Sequence, residues 1–141
     1  MAMTLEQAWG LSRADSGLAV VSTLRADQTI QSSLVNTGII QRGEPVLAFV
    51  TYGKIKLANL RARPQLTVTF RDGWQWAAVE GRAELTGPDD PPSDPEALRL
   101  LLREIFTSAG GTHDDWDEYD RVMRDQRRTA VLIKPSRIYA N

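Results

Sequence analysis

The sequence predicts a mainly β protein: an antiparallel, Greek-key barrel of six strands or so, flanked by helices. Three observations carry that expectation. Short runs rich in β-branched and apolar residues recur between residues 18 and 86, joined by turns too tight for a parallel crossover. Asp72-Gly73, between two such runs, is the strongest short hairpin signal in the chain. Helix-periodic sequence is confined to the first dozen residues, a short insert after Tyr52, and residues 96–123, so helices cover the barrel rather than alternate with its strands.

Taken in order, Thr4 with Gln7 is a capping-box pattern, and Leu5, Ala8, Trp9 and Leu11 suit a short amphipathic helix. Leu18–Leu24 reads as a buried strand, Arg25–Gln28 as a turn, and Thr29–Asn36 as the hairpin partner. Pro45–Thr51 is the third strand. Tyr52–Lys56 forms a loop opening a helix over Leu57–Ala62, which Pro64 stops. Gln65–Phe70 and Trp74–Leu85 flank the Asp72-Gly73 turn, and Gly81 inside the second predicts a bulge or bend. Residues Gly87–Pro95 hold four of the seven prolines and read as loop. Glu96–Thr107 is helical, with Leu98, Leu101, Leu102, Ile105 and Phe106 on one face; Gly110-Gly111 breaks it, and Thr112 caps a second helix running to Met123. Thr129–Ile133 is a last long strand, and Arg137–Ala140 a short closing one.

Length and composition set bounds. The 141 residues fit one domain, 1–141, and a chain of this size buries about 68% of its unfolded surface. With no cysteine, disulfides, thiolate metal sites and a cysteine nucleophile are excluded. No apolar run approaches a membrane span and the N-terminus lacks signal-peptide character, so a cytoplasmic protein without membrane contact is expected. Seventeen basic and 18 acidic residues are mixed along the chain, for a net charge of −1, which argues against nucleic acid as a partner.

Absent chemistry narrows the field further. His113 is the single histidine, which excludes a multi-histidine metal site; beside Asp114 and Asp115 it reads as a solvated helix start. The acidic cluster Asp114, Asp115, Asp117, Glu118 and Asp120 lacks calcium-loop spacing and reads as a solvated face, so no metal is expected. There is no nucleophile elbow, P-loop or dinucleotide fingerprint. If the chain is an enzyme, an organic cofactor brings the chemistry.

Three features have two readings each. Lys54 and Lys56, two apart at a helix mouth, are either a solvated basic loop or an anion trap built with helix N–H groups. Trp74 and Trp76, read as neighbours on one strand face, are either core or a flat wall for a ring. Gln31 and Ser33 share a face of the second strand and either meet solvent or line a groove.

A resemblance adds weight to the second reading of each. The segments Val21–Gln28, Lys54-Ile55-Lys56 with Asn59-Leu60-Arg61 and Arg63-Pro64, Asp72-Gly73-Trp74 and Val79–Thr86 carry it. So do Trp116–Tyr119, Met123, Arg127-Arg128 and Pro135–Tyr139. Together they resemble the split-barrel superfamily of FMN-binding, pyridoxamine 5'-phosphate oxidase-like proteins. Within it they are similar to actinobacterial F420-dependent oxidoreductases of the B class.

The resemblance implies a homodimer with a cofactor groove between subunits. It implies that Lys54 and Lys56, with Asn59 in the same segment, and Arg128 meet the cofactor's anionic end. Gln31 and Ser33 would lie beside its ring, and Trp74 and Trp76 would wall it across the dimer. Leu34 departs from the asparagine common after the Ser33 position. The implied activity is hydride transfer from reduced F420, a deazaflavin, to an unsaturated or conjugated small-molecule electron acceptor. No protein nucleophile is required, and the proton comes from solvent or from Tyr52. The alternatives are an FMN-dependent oxidoreductase on the same barrel, a non-catalytic binder of a flavin, deazaflavin or tetrapyrrole, and a purely structural barrel without ligand.

Overall fold

The computed structural model describes residues 3–141. Its strands are β1 (Leu18–Leu24), β2 (Ile30–Gln41), β3 (Pro45–Thr51), β4 (Gln65–Asp72), β5 (Gln75–Thr86) and β6 (Thr129–Ala140). All pairings are antiparallel, and the sheet closes on itself in the order β1-β2-β3-β6-β5-β4. Because β4 returns to lie beside β1, the first four strands form a Greek key. The expected antiparallel barrel with flanking helices is the observed fold.

Inward-facing residues of every strand fill the barrel: Val21, Val35, Phe49, Val68, Val79 and Ile133 are among its buried side chains. Each large apolar side chain removed from water contributes about 1.5–3 kcal/mol. One end is closed by α1 (Leu5–Gly10). The capping box forms as expected, with Thr4 Oγ1 accepting from the Gln7 N–H at 3.1 Å and Gln7 Oε1 accepting from the Thr4 N–H at 2.9 Å. The Trp9 indole reaches across to donate to the Thr37 carbonyl at 3.0 Å. The other end is closed by α2 (Lys54–Ala62), which turns Lys56, Leu57, Asn59 and Leu60 inward. A second core lies outside the barrel wall, where α3 (Pro95–Ser108) and α4 (Trp116–Asp125) pack Leu102, Ile105 and Tyr119 on Ile40, Val46, Ala48 and Ala130.

Several boundaries differ from the sequence expectation, and four of the differences have a physical reason. β2 continues five residues past Asn36, through Gly38, because α3 ends directly on it. A Cβ at Gly38 would lie 2.0 Å from Ser108 Oγ and 2.8 Å from the Ala109 nitrogen, so a residue that reads as a strand breaker is there for clearance. α2 begins at Lys54 rather than Leu57, placing both lysines in its first turn. β6 is one strand of 12 residues that runs through Pro135. The pairing register shifts between Glu80 and Gly81, where Pro135 stands opposite Gly81, so the missing proline donor falls at the bulge that Gly81 predicts. α4 starts at Trp116, capped by Asp115 rather than Thr112, with Asp115 Oδ1 accepting from the Glu118 N–H at 3.1 Å.

Candidate functional site

The register of β3 with β6 sets Thr51 opposite Thr129, so the residues just beyond, Tyr52 and Arg128, meet at one end of the barrel. The Arg128 guanidinium lies 3.9 Å from the centroid of the exposed Tyr52 ring. Its Nε donates to Gln126 Oε1 at 2.9 Å, and partial burial lowers its pKa from the ordinary value without discharging it.

Two residues on, Gly53 caps α2 and provides no side-chain oxygen, whereas Thr4, Asp94 and Asp115 cap the other three α-helices. The first N–H groups of a helix have no partner within it, so an uncapped start carries open donors and the positive end of the helix dipole. Thr51 Oγ1 organises this bend, accepting from the Gly53 N–H at 3.1 Å and from Lys56 Nζ at 3.3 Å. Lys56 is only 6% exposed, and burial lowers its pKa. Its ammonium lies 5.8 Å from the Phe49 ring centroid, inside the barrel mouth rather than in an open loop. Lys54 is exposed on the first turn. Among the described residues, none of Lys54, Lys56 and Arg128 forms an ion pair with a carboxylate. Lys56 on Thr51, Arg128 on Tyr52 and Lys54 on the first turn of α2 thus lie around the end of β3, none of them paired with a carboxylate.

Gln31 and Ser33 point to the barrel side, in step with the buried Val35 and Thr37. Gln31 Oε1 accepts from the Thr23 hydroxyl at 3.1 Å, and Asn59 Nδ2 donates to Thr23 Oγ1 at 3.0 Å, so Gln31 and Asn59 belong to one internal network. Ser33 Oγ is buried without a hydrogen-bond partner. The outward face of β2 instead carries Ile30, Ser32, Leu34 and Asn36, with Leu34 63% exposed opposite Val20 of β1. Polarity misleads here because the parity of β2 is fixed by its second half.

The two tryptophans do not share a strand face. Trp74 sits in the hairpin turn, 93% exposed, and β5 begins after it. Trp76 packs edge-on against Tyr139 with centroids 6.2 Å apart. Thr86, not Trp76, is the β5 residue near the cation cluster, and about 33 Å of strand separates the two. Within the chain these two indoles and the cations therefore stand at opposite ends of the barrel.

Sequence reasoning did not single out the cleft of about 370 Å³ beside Arg128, walled by Asn36, Val50, Phe106, His113 and Met123. Its residues come from four separate elements and carry no local pattern. Of the acidic residues of α4 and its cap, Asp115 caps the helix and Asp120 is paired with Arg99 and Arg103, while Glu118 lies on the cleft wall. No group of described residues has the makings of a metal site, and no described helix is long and apolar enough to cross a membrane.

Known proteins share this architecture. A conserved hypothetical protein of Mycobacterium tuberculosis superposes with a TM-score of 0.72 at 19% identity, over 99% of this chain and 85% of that one. A protein described as an F420 reductase gives 0.64 at 17% identity, over 99% and 98%. A pyridoxamine 5'-phosphate oxidase-related, FMN binding protein of Nostoc punctiforme gives 0.63 at 11% identity, over 99% and 86%. At these identities the likeness is one of fold. The sequence itself carries the relationship further, since the profile of the pyridoxamine 5'-phosphate oxidase family matches residues 7–141, from α1 through β6. This chain belongs to that family.

Proposed function

We propose that the protein is an F420-dependent reductase, passing hydride from reduced deazaflavin to an unsaturated or conjugated small molecule, as a cytoplasmic homodimer. The observation that carries the reading is the uncompensated positive site formed by the α2 N-terminus, Lys54, Lys56 and Arg128. Such a site suits a phosphate, because open N–H groups and cations act together on a compact anion. The buried Lys56 ammonium, with one hydroxyl for a partner, is the polar group expected to gain a bond when a ligand arrives.

Lys54 favours F420 over a simple flavin phosphate. It is exposed and unpaired at the edge of the site, where a carboxylate tail leaving the phosphate would pass. The bound deazaflavin supplies the hydride. The chain's residues would anchor its anionic end, orient the ring along the outer wall and keep water from the reacting carbon. A second copy would cover that wall, where Val20, Ile30 and Leu34 are exposed, and would bring its Trp76 region toward the first copy's cations.

FMN is the second reading, supported by family membership and by the fold shared with an FMN binding protein. Titrating intrinsic tryptophan fluorescence with each cofactor separates the two. Saturable quenching by F420, lost in Arg128→Gln, is the expected result; quenching by FMN alone would move the assignment to the flavin.

A further inference from the structure

We propose that His113 is a catalytic residue whose Nε2–H donates to the carbonyl oxygen of a small conjugated acceptor, an enone or quinone, seated in the cleft between β3 and the α3–α4 pair. The inference rests on the cofactor reading above. The cleft, of about 370 Å³, joins His113 to Arg128, a member of the cation cluster, so it opens beside the place assigned to the cofactor. Val50, Phe106 and Met123 give it apolar walls, and its size suits a molecule of one or two rings.

The tautomer of His113 is set by its surroundings. Nδ1 accepts a hydrogen bond from the Asp115 backbone N–H at 3.0 Å, which leaves the proton of the neutral ring on Nε2. That donor is itself fixed, because Asp115 caps α4. The ring is held among Trp116, Tyr119 and Phe106, with centroids 5.9, 5.8 and 6.4 Å away. The other charged or titratable groups near it are Asp114, whose carboxylate is 4.0 Å from Nδ1, and Glu118, Tyr119 and Arg128 on the cleft wall. Tyr119 is already spent, since its hydroxyl donates to the Leu102 carbonyl at 2.9 Å. Among the aromatic side chains that line the cleft, Phe106, Tyr119 and His113, the one with an N–H is His113.

In the reaction the β-carbon of an enone accepts hydride from the reduced deazaflavin, and the C=C pair shifts toward the carbonyl oxygen. The charge gathering on that oxygen is stabilised by the Nε2–H. The α-carbon then takes a proton from water, and the hydroxide left is neutralised by the ring N–H proton that a deazaflavin would give up after losing hydride. The acceptor gains two electrons and two hydrogens, and the cofactor is oxidised by two electrons.

Because His113 is the single histidine, its imidazole nitrogens give unambiguous NMR signals in protein labelled with ¹⁵N-histidine. Adding cyclohex-2-enone, and separately menadione, is expected to shift the Nε2 signal saturably, with or without F420. His113→Phe is expected to lower kcat about 100-fold while leaving the dissociation constant for F420 unchanged, and His113→Gln, which keeps an N–H, to lose less. An Nε2 signal unmoved at saturating probe, or a His113→Phe variant within twofold of wild-type kcat, would overturn the proposal. Failure of F420 to bind would sink the cofactor reading alone, because the probe-induced shift still decides whether His113 meets a carbonyl.

Discussion

Arg128 rests face-on against Tyr52, its guanidinium carbon 3.9 Å from the ring centroid, because β3 and β6 pair to their very ends. The ring holds the cation in place without neutralising it. Replacing Tyr52 by Leu should free Arg128 and weaken F420 binding about fivefold, the equivalent of ~1 kcal/mol for a half-exposed cation–π contact. Fluorescence titration of Tyr52→Leu checks this, with Tyr52→Phe expected to stay near wild type.

Lys56 is buried more deeply than Arg128, and burial disfavours its charged form relative to water. Its folded pKa lies below the ordinary 10.5 through burial. Between that folded value and 10.5 the unfolded chain binds more protons, so native stability rises with pH across this window and levels off above it. Lys56→Met should remove that part of the slope and raise stability at pH 7 by about 1 kcal/mol, while weakening cofactor binding. Urea unfolding of both proteins at several pH values between 7 and 11 tests it; identical slopes would show that the burial cost is absent.

Gly38→Ala should destabilise by about 2 kcal/mol, because the new methyl would lie 2.0 Å from Ser108 Oγ. Adding Ser108→Ala should recover only part of the loss, since the Ser108 carbonyl carbon and Ala109 nitrogen still lie at 2.8 Å. Full recovery in the double variant would show that the hydroxyl alone sets the clearance.

Leu34 and Val20 stand opposite each other on the outer face of β1 and β2 and are exposed. If that face joins two copies, Leu34→Glu buries a charge there and should convert a dimer to a monomer. Light scattering after size exclusion gives the mass directly, and an unchanged dimer would place the interface elsewhere.

The barrel was legible because alternation and turn chemistry act locally: Asp72-Gly73 and the apolar run of β1 need no knowledge of the rest of the fold. The continuation of β2 past Asn36 was not legible, because what Gly38 accommodates, the approach of Ser108, lies 70 residues away. At the candidate site the chain order placed Lys54 and Arg128 at strand and helix ends, and the β3–β6 register joined them. The inward turn of Lys56, and the use of Gln31 and Asn59 as an internal polar tie through Thr23, depend on which side of a strand or helix meets the barrel. A one-residue change of parity reverses that assignment, and residue type does not reveal it. Trp74 shows the same limit, since one position separates a strand face from a turn.

The last strand, β6, is hydrogen-bonded on one side to β3 and on the other to β5. During synthesis the earlier strands therefore emerge as a half-built staircase with two open backbone edges, and stay so until residues 129–140 leave the ribosome. Such edges recruit foreign strands, so translation stalled before Thr129 should yield nascent chains prone to clumping.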